Sequence, residues 1–440
     1  MNACNPITDS KYHFNLAIRR VFFIGLAILA PLTALKIDEI QTVYIFSLAA
    51  LSIAAAAVFH NSLQLRGNID VLSLLKKYVL FLGLAAILAL WALRLPSFPP
   101  PGTPLLKHAP FISVARLAQL AAVISVLLFT AQFIVDRSSM SALMCQCYIY
   151  GGLISSVYGI ASWIGTHVGI HLSGAYGSTD RIRGFFIEGG PFGVYLISVM
   201  LVTLFRRAVL QRGAPRGFWI QMALLFTAFV GSQSKAGIPL AICLGVFYLV
   251  ITHRARHLLL LLPLFIGLAL SVNIVGQLRG YAESYLNFSR LARERPHDTD
   301  LIEGRVMGAI LVPIMVAHHP ISGIGIGNYS LERNNPEYLG TFPKAPGWDL
   351  PGLGLLGDAA EFGIPLLLYL CWLLWRPVVI AKRAQAHPLV VILGAYQILA
   401  DILGVQTTFV YPWIVSGIVI GYSLLLRKER HSSRDAARAS

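Results

Sequence analysis

Phe111–Val135 reads FISVARLAQLAAVISVLLFTAQFIV, with Arg116 as its one charged residue. An apolar run of this length exceeds the roughly 20 residues a helix needs to cross a bilayer. The same signature recurs along the chain, and spans are expected at about 16–35, 41–59, 77–95, 111–135, 141–166, 189–205, 217–232, 236–252, 257–276, 356–375, 388–404 and 410–426. The composition agrees: over 440 residues, 56% are hydrophobic and 12% charged, with a mean hydropathy of +0.68. Soluble domains are nearer a quarter charged, so a soluble enzyme is excluded. The expected fold is all-α, a polytopic helical membrane protein of about 12 transmembrane helices built as a single membrane domain over residues 1–440.

Basic residues set the sidedness. Arg427, Lys428, Arg430, Arg434 and Arg438 fall in a tail at 427–440, and alternation backwards places Arg376, Lys382, Arg383, Arg254, Arg256, Arg206, Arg207, Arg137, Lys76 and Lys77 on the same side. The short loops opposite carry only Lys36, Arg94, Lys107, Arg181, Arg183 and Lys235. The positive-inside rule then puts both termini in the cytoplasm, the first span being a signal anchor that stays. The excess of 35 Lys+Arg over 20 Asp+Glu meets anionic membrane lipids and argues for no nucleic-acid partner. Five cysteines, Cys4, Cys145, Cys147, Cys243 and Cys371, form no disulfide frame and no metal cage, so no cofactor is expected.

One long outer segment remains, about 277–355, between the ninth and tenth spans. Its apolar stretch Val306–Ala317 is too short to cross a bilayer and reads as an interfacial or protein-buried helix.

Polar groups crowd three outer segments. The first is Asp180-Arg181-Ile182-Arg183-Gly184-Phe185-Phe186-Ile187-Glu188-Gly189-Gly190-Pro191, where two guanidiniums and a Gly-Gly-Pro helix start suit a phosphate. The blander reading is a turn in which Arg181 pairs with Asp180. The second is the turn Gly231-Ser232-Gln233-Ser234-Lys235-Ala236-Gly237, whose ammonium either holds an anion or snorkels at a span end. The third carries Arg279, Arg290, Arg293, Arg295 and Arg305, then His318, His319 and Gly323-Ile324-Gly325-Ile326-Gly327, and finally Asp349, Asp358 and Glu361. Arg279 to Arg295, with Glu283 and Glu294, reads as a solvated helical face, whereas Arg305 opens an apolar helix and points either to Glu303 or to a ligand. The histidines suit helix C-terminal caps, and the glycine run suits a turn around a cavity, since it lacks the strand–turn–helix frame of a nucleotide fingerprint. Cations beside carboxylates fit a phosphate-bearing substrate in the outer leaflet, such as a polyprenyl diphosphate glycan, with a base for the attacking hydroxyl.

The order Arg181-x-x-Gly184-Phe185-Phe186, Ser234-Lys235, Gly304-Arg305, His319-Pro320-x-x-Gly323-x-Gly325-x-Gly327-x-Tyr329 and Glu361-Phe362-Gly363-Ile364 resembles the O-antigen ligase and polymerase superfamily, bacterial integral membrane glycosyltransferases of polysaccharide assembly. The resemblance covers residues 180–375 in detail. It implies metal-independent glycan transfer from an undecaprenyl-diphosphate-linked donor at the periplasmic face of the inner membrane. The acceptor is lipid A-core in ligases and another lipid-linked glycan in polymerases. The family's basic positions fall on Lys235, where ligases usually have Arg, and on Arg305; Arg183 and Arg279 complete the expected diphosphate-binding set. Lysine cannot form the bidentate fork. The histidine that ligases carry before Glu-x-Gly would fall near 349–353, where this chain has Asp349-Leu350-Pro351-Gly352-Leu353. Asp349, Glu188 and His319 are therefore the candidate bases, and the chain leans toward an O-antigen or exopolysaccharide polymerase. An O-antigen ligase is the alternative within the family. A lipid-linked oligosaccharide flippase or transporter is the alternative outside it, although no two similar halves are visible. A purely structural role sits poorly with Arg116 and Asp401 inside spans.

Overall fold

The computed structural model describes residues 25, 30–31, 36–37, 40–41, 69–170, 181–210, 217–252, 279–280, 282–295, 297–347 and 352–439. A two-residue hairpin pairs β1 (Lys36–Ile37) with β2 (Ile40–Gln41). The rest of the regular structure is helical: α1 (Ile69–Ala92), α2 (Phe111–Asp136), α3 (Ser139–His167), α4 (Gly189–Phe205), α5 (Phe218–Ser232), α6 (Gly237–Thr252), α7 (Phe288–Glu294), α8 (Thr299–Ile302), α9 (Arg305–His318), α10 (Tyr329–Glu332), α11 (Pro336–Leu339), α12 (Leu355–Arg383), α13 (Pro388–Ile402) and α14 (Val410–Ala439).

Six of these, α1, α2, α3, α12, α14 and α4 with its π-turn Arg206–Leu210, are long and apolar enough to cross a membrane, so this is a helical membrane protein. α5, α6 and α13 stand where spans are expected but hold only 15, 16 and 15 residues. At 1.5 Å per residue they fall short of a typical 30 Å hydrocarbon core, which is why composition alone overstates how many helices meet the length criterion. The expected spans at 16–35, 41–59 and 257–276 lie outside the described residues. α1 begins at Ile69, two turns before the expected start, and α14 carries the basic tail as continuous helix.

The main core is apolar and aromatic, with Tyr78, Tyr148, Tyr195, Tyr396, Tyr411 and Trp413 all fully buried between helices. A separate small core under the 288–360 region is built from Phe288, Met307, Leu311, Met315, Ile324, Tyr329, Tyr338 and Leu353. α9 lays Val306, Met307, Leu311, Val312 and Met315 into it and packs on α12, as its single apolar stripe demands. Only this one face of its 14 residues is buried; Pro313, Ala317 and His318 stay exposed.

α4 lies along α14, with Tyr195 beside Tyr411 at 5.3 Å and Phe205 beside Tyr422 at 5.2 Å, and is tied to α13 by the Tyr396 hydroxyl, which donates to the Val194 carbonyl at 2.9 Å. Val194 lies five residues after the start of α4 and Tyr396 six before the end of α13. Phe186, just before α4, also meets Tyr411 at 6.0 Å, and Gly352 and Gly354 press on Gly404, so the starts of α4 and α12 and the α13–α14 connection share one end of the bundle. The opposite end gathers the start of α1 and the ends of α12 and α14, joined where Arg427 meets Asp70 at 3.0 Å. The first is here called the cavity end and the second the basic end.

Candidate functional site

Three segments meet at the cavity end because glycines let their backbones touch. α12 is broken at Gly363 (φ 70°), two residues before Pro365, so Leu355–Phe362 forms a separate first segment. The 320–327 strand of chain lies along that break: Ile324 N–H donates to Ala360 O at 2.8 Å, Gly325 N–H to Glu361 O at 3.1 Å, and Ile364 N–H to Pro320 O at 2.8 Å. A Cβ on Gly327 (φ 79°) would stand 2.9 Å from Cγ of Arg116, so only glycine lets the turn pass that side chain.

The result is a cavity of about 70 Å³, room for several water-sized groups, lined by Arg116 of α2, Asp358 and Glu361 of α12, and Gln406, Thr407 and Thr408 of the α13–α14 connection. Asp358 and Glu361 share one helix face by their spacing of three. Glu361 accepts the Gly327 N–H at 2.9 Å, and Thr407 donates its hydroxyl to Asp358. The Trp413 indole holds Thr407 through its carbonyl at 2.7 Å. Arg116 donates to Gln119 at 3.1 Å and lies within electrostatic reach of both carboxylates. Among the described residues no contact ion pair joins it to either acid. One guanidinium, two acids and two threonine hydroxyls can thus accept a proton from an alcohol and neutralise a departing anion in one enclosure.

The first two polar segments of the sequence analysis form one unit. Arg181 donates from Nε to Ser232 O and from Nη2 to Gln233 O, both at 3.0 Å, and the Ser234 hydroxyl donates to Gly190 O at 2.6 Å. Arg181 is thereby a clamp on the α5–α6 turn; Asp180 lies outside the described residues. Lys235 is half-buried in that turn. Arg183 turns back on its own loop, donating to Ile187 O at 3.0 Å, and Glu188 is exposed at the start of α4.

In the third segment, Arg305 Nη2 lies 3.1 Å from where a Cβ on Gly352 would stand, two residues from the cavity-lining Gly354. Glu303 is not its partner: that buried carboxylate pairs with Arg333 at 3.4 Å and accepts the Gly347 N–H. Arg279 is no cavity residue; it is 81% exposed and pairs with Glu283 at 2.8 Å, the solvated face expected from spacing. His319 lies 2.8 Å from the Tyr338 hydroxyl and edge-on to Trp91, at the C-terminal end of α9. Burial holds its imidazole below the usual histidine range and pushes the Tyr338 phenol up to about 12. Asp349 lies outside the described residues.

Reading from sequence places Asp358 and Glu361 in the late polar segment and Arg116 in a span, but assigns none of them the role their convergence gives them. Their signal was a lone guanidinium in an apolar run and two acids three apart at a helix start. Arg333 and Glu332, both buried, gave no such signal. Among the described residues no three His, Cys, Asp or Glu side chains cluster as a metal would need. Neither a scan against protein-family models nor a search of curated proteins finds a match to this chain.

Proposed function

We propose that the protein is a multi-pass glycosyltransferase of about 12 spans, with both termini cytoplasmic, that extends or transfers glycan from an undecaprenyl-diphosphate-linked donor at the periplasmic face. The cavity end is then periplasmic and the basic end cytoplasmic, as the positive-inside rule requires. The observation that carries this reading is the convergence of Arg116, Asp358 and Glu361 on one cavity beneath a glycine-rich turn in a membrane-embedded bundle. Charges kept at such a place are costly and are retained for use.

In the proposed step an acceptor hydroxyl attacks the anomeric carbon of the donor. The new glycosidic bond forms as the bond from that carbon to the diphosphate oxygen breaks. The hydroxyl proton passes to Asp358, which Thr407 orients. The leaving diphosphate keeps the bonding electron pair, and Arg116 offsets its charge, with Arg305 and Lys235 as further cations at the same end of the bundle. Asp358 replaces Asp349, Glu188 and His319 as the favoured base because it lines the enclosure, whereas Glu188 is exposed and His319 faces Tyr338.

Purified protein in liposomes, given undecaprenyl-diphosphate oligosaccharide, should release undecaprenyl diphosphate and yield a longer glycan. Passage of the intact lipid between leaflets, with no bond cleaved, would replace this reading with a flippase.

A further inference from the structure

The basic end holds a second cluster that the proposed chemistry does not use. Lys77 of α1 and Arg376 of α12 both stand over the Trp372 ring, at 5.3 and 5.2 Å from its centroid. Two like charges held near one ring repel each other, so an anion between them would be favoured. Arg383 adds to the same field at Lys77, and the acid that offsets it, Asp70, is engaged by Arg427 at 3.0 Å.

Two buried polar atoms at this place have no hydrogen-bond partner among the described residues: the Tyr78 hydroxyl and Nε of Arg376. Tyr78 is 1% exposed, and Arg376 acts electrostatically on its hydroxyl. Buried donors are almost always paired, so orphans beside cations that touch no acid among the described residues mark the seat of an acceptor-rich anion.

The place along the helices says which anion. Lys77 is seven residues beyond Asp70, and Arg376 seven before Arg383, so each stands about 10 Å deeper than the outermost charges. Tyr369 pins the two helices there by donating to the Lys77 carbonyl at 3.0 Å. Above the cations, α1 and α12 present exposed Leu80, Leu84, Ile87 and Leu368 to the hydrocarbon. A cation pair over an aromatic ring at the foot of an exposed apolar surface matches a phosphate joined to acyl chains. We infer that the outer seam of α1 and α12 binds the phosphate of an anionic phospholipid, through Lys77 and Arg376 with Arg383 at its rim.

The test uses the full chain in detergent, titrated with phosphatidylglycerol, with phosphatidylcholine of the same acyl chains, or with inorganic phosphate, and bound lipid counted by native mass spectrometry. Phosphatidylglycerol should bind well ahead of phosphatidylcholine. The Lys77→Gln/Arg376→Gln double variant should weaken it about twenty-fivefold, at roughly fivefold for each surface cation lost. Lys76→Gln/Lys382→Gln, which removes the same charge from exposed neighbours, should cost less than about threefold. Equal loss in the two double variants, equal binding of both lipids, or equal occupancy by inorganic phosphate would each overturn the assignment. If the first double variant does not fold, Lys77→Gln alone should still show about a fivefold loss, and its absence would count against the site. Glycan transfer plays no part in this readout, so it stands or falls apart from the proposed enzyme.

Discussion

The two ends of the bundle treat charge in opposite ways. Around the cavity, three charges are withdrawn from water: Glu303 and Arg333 are 6% and 2% exposed, and Glu361 takes a glycine N–H. At the basic end, Arg427 and Asp70 are 38% and 51% exposed, and Lys77 and Arg376 lean on a tryptophan ring rather than on acids. A buried charge must be matched locally, since removing one partner leaves the other unsolvated, whereas an exposed one is matched by water and salt. The first arrangement suits chemistry that needs fixed groups, and the second suits holding an exchangeable anion.

The sharpest way to break this contrast is at the cavity. Asp358→Asn keeps the shape and the Thr407 contact but removes the base, and turnover of the lipid-linked donor should fall by about 10²–10⁴-fold. Unchanged turnover would leave the cavity without its proposed role. The ion pairs offer a paired test by thermal or chemical unfolding. Arg333→Ala should cost about 3–5 kcal/mol, because Glu303 stays buried without its cation.

Glu332 sharpens the same point through pH. It is 3% exposed, and burial pushes its carboxyl up to about 7, although the Asn335 amide, donating at 3.1 Å, pulls the other way. Its folded value lies above the unfolded one, so between about pH 4.5 and 7 the folded chain holds a proton that the unfolded chain has released. The stability tied to that proton is full at the acid side and is lost as pH rises through 7. Amide exchange over 329–339, corrected for intrinsic rates, should therefore be slower at pH 5 than at pH 8, and Glu332→Gln should flatten the difference. The smallest effect belongs to the basic end, where Arg427→Ala should cost less than about 1 kcal/mol and fade further in high salt.

How far each feature could be read beforehand follows from where its cause lies. The membrane class, the positions of the long spans and the one apolar face of α9 rest on local periodicity and apolar content, properties of contiguous residues. Motifs that pack through adjacent turns, such as the Arg181 loop on Ser232 and Gln233, were foreseeable as neighbours in a common polar belt. Arg279 was legible as a surface residue because its partner Glu283 lies one turn away on the same helix.

The site itself depends on contacts across hundreds of residues. Arg116 meets the turn at Gly327, and Thr407 meets Asp358, only after α2, α12 and the α13–α14 connection have packed. Likewise Glu303 could have served Arg305, two residues on, but tertiary packing gives it to Arg333. Composition and spacing thus determined that this chain lives in a membrane and where its helices run, because solvent chooses among local patterns. Which charges converge was left to packing, since a carboxylate in a dry interior takes whichever donor the folded backbone brings within reach.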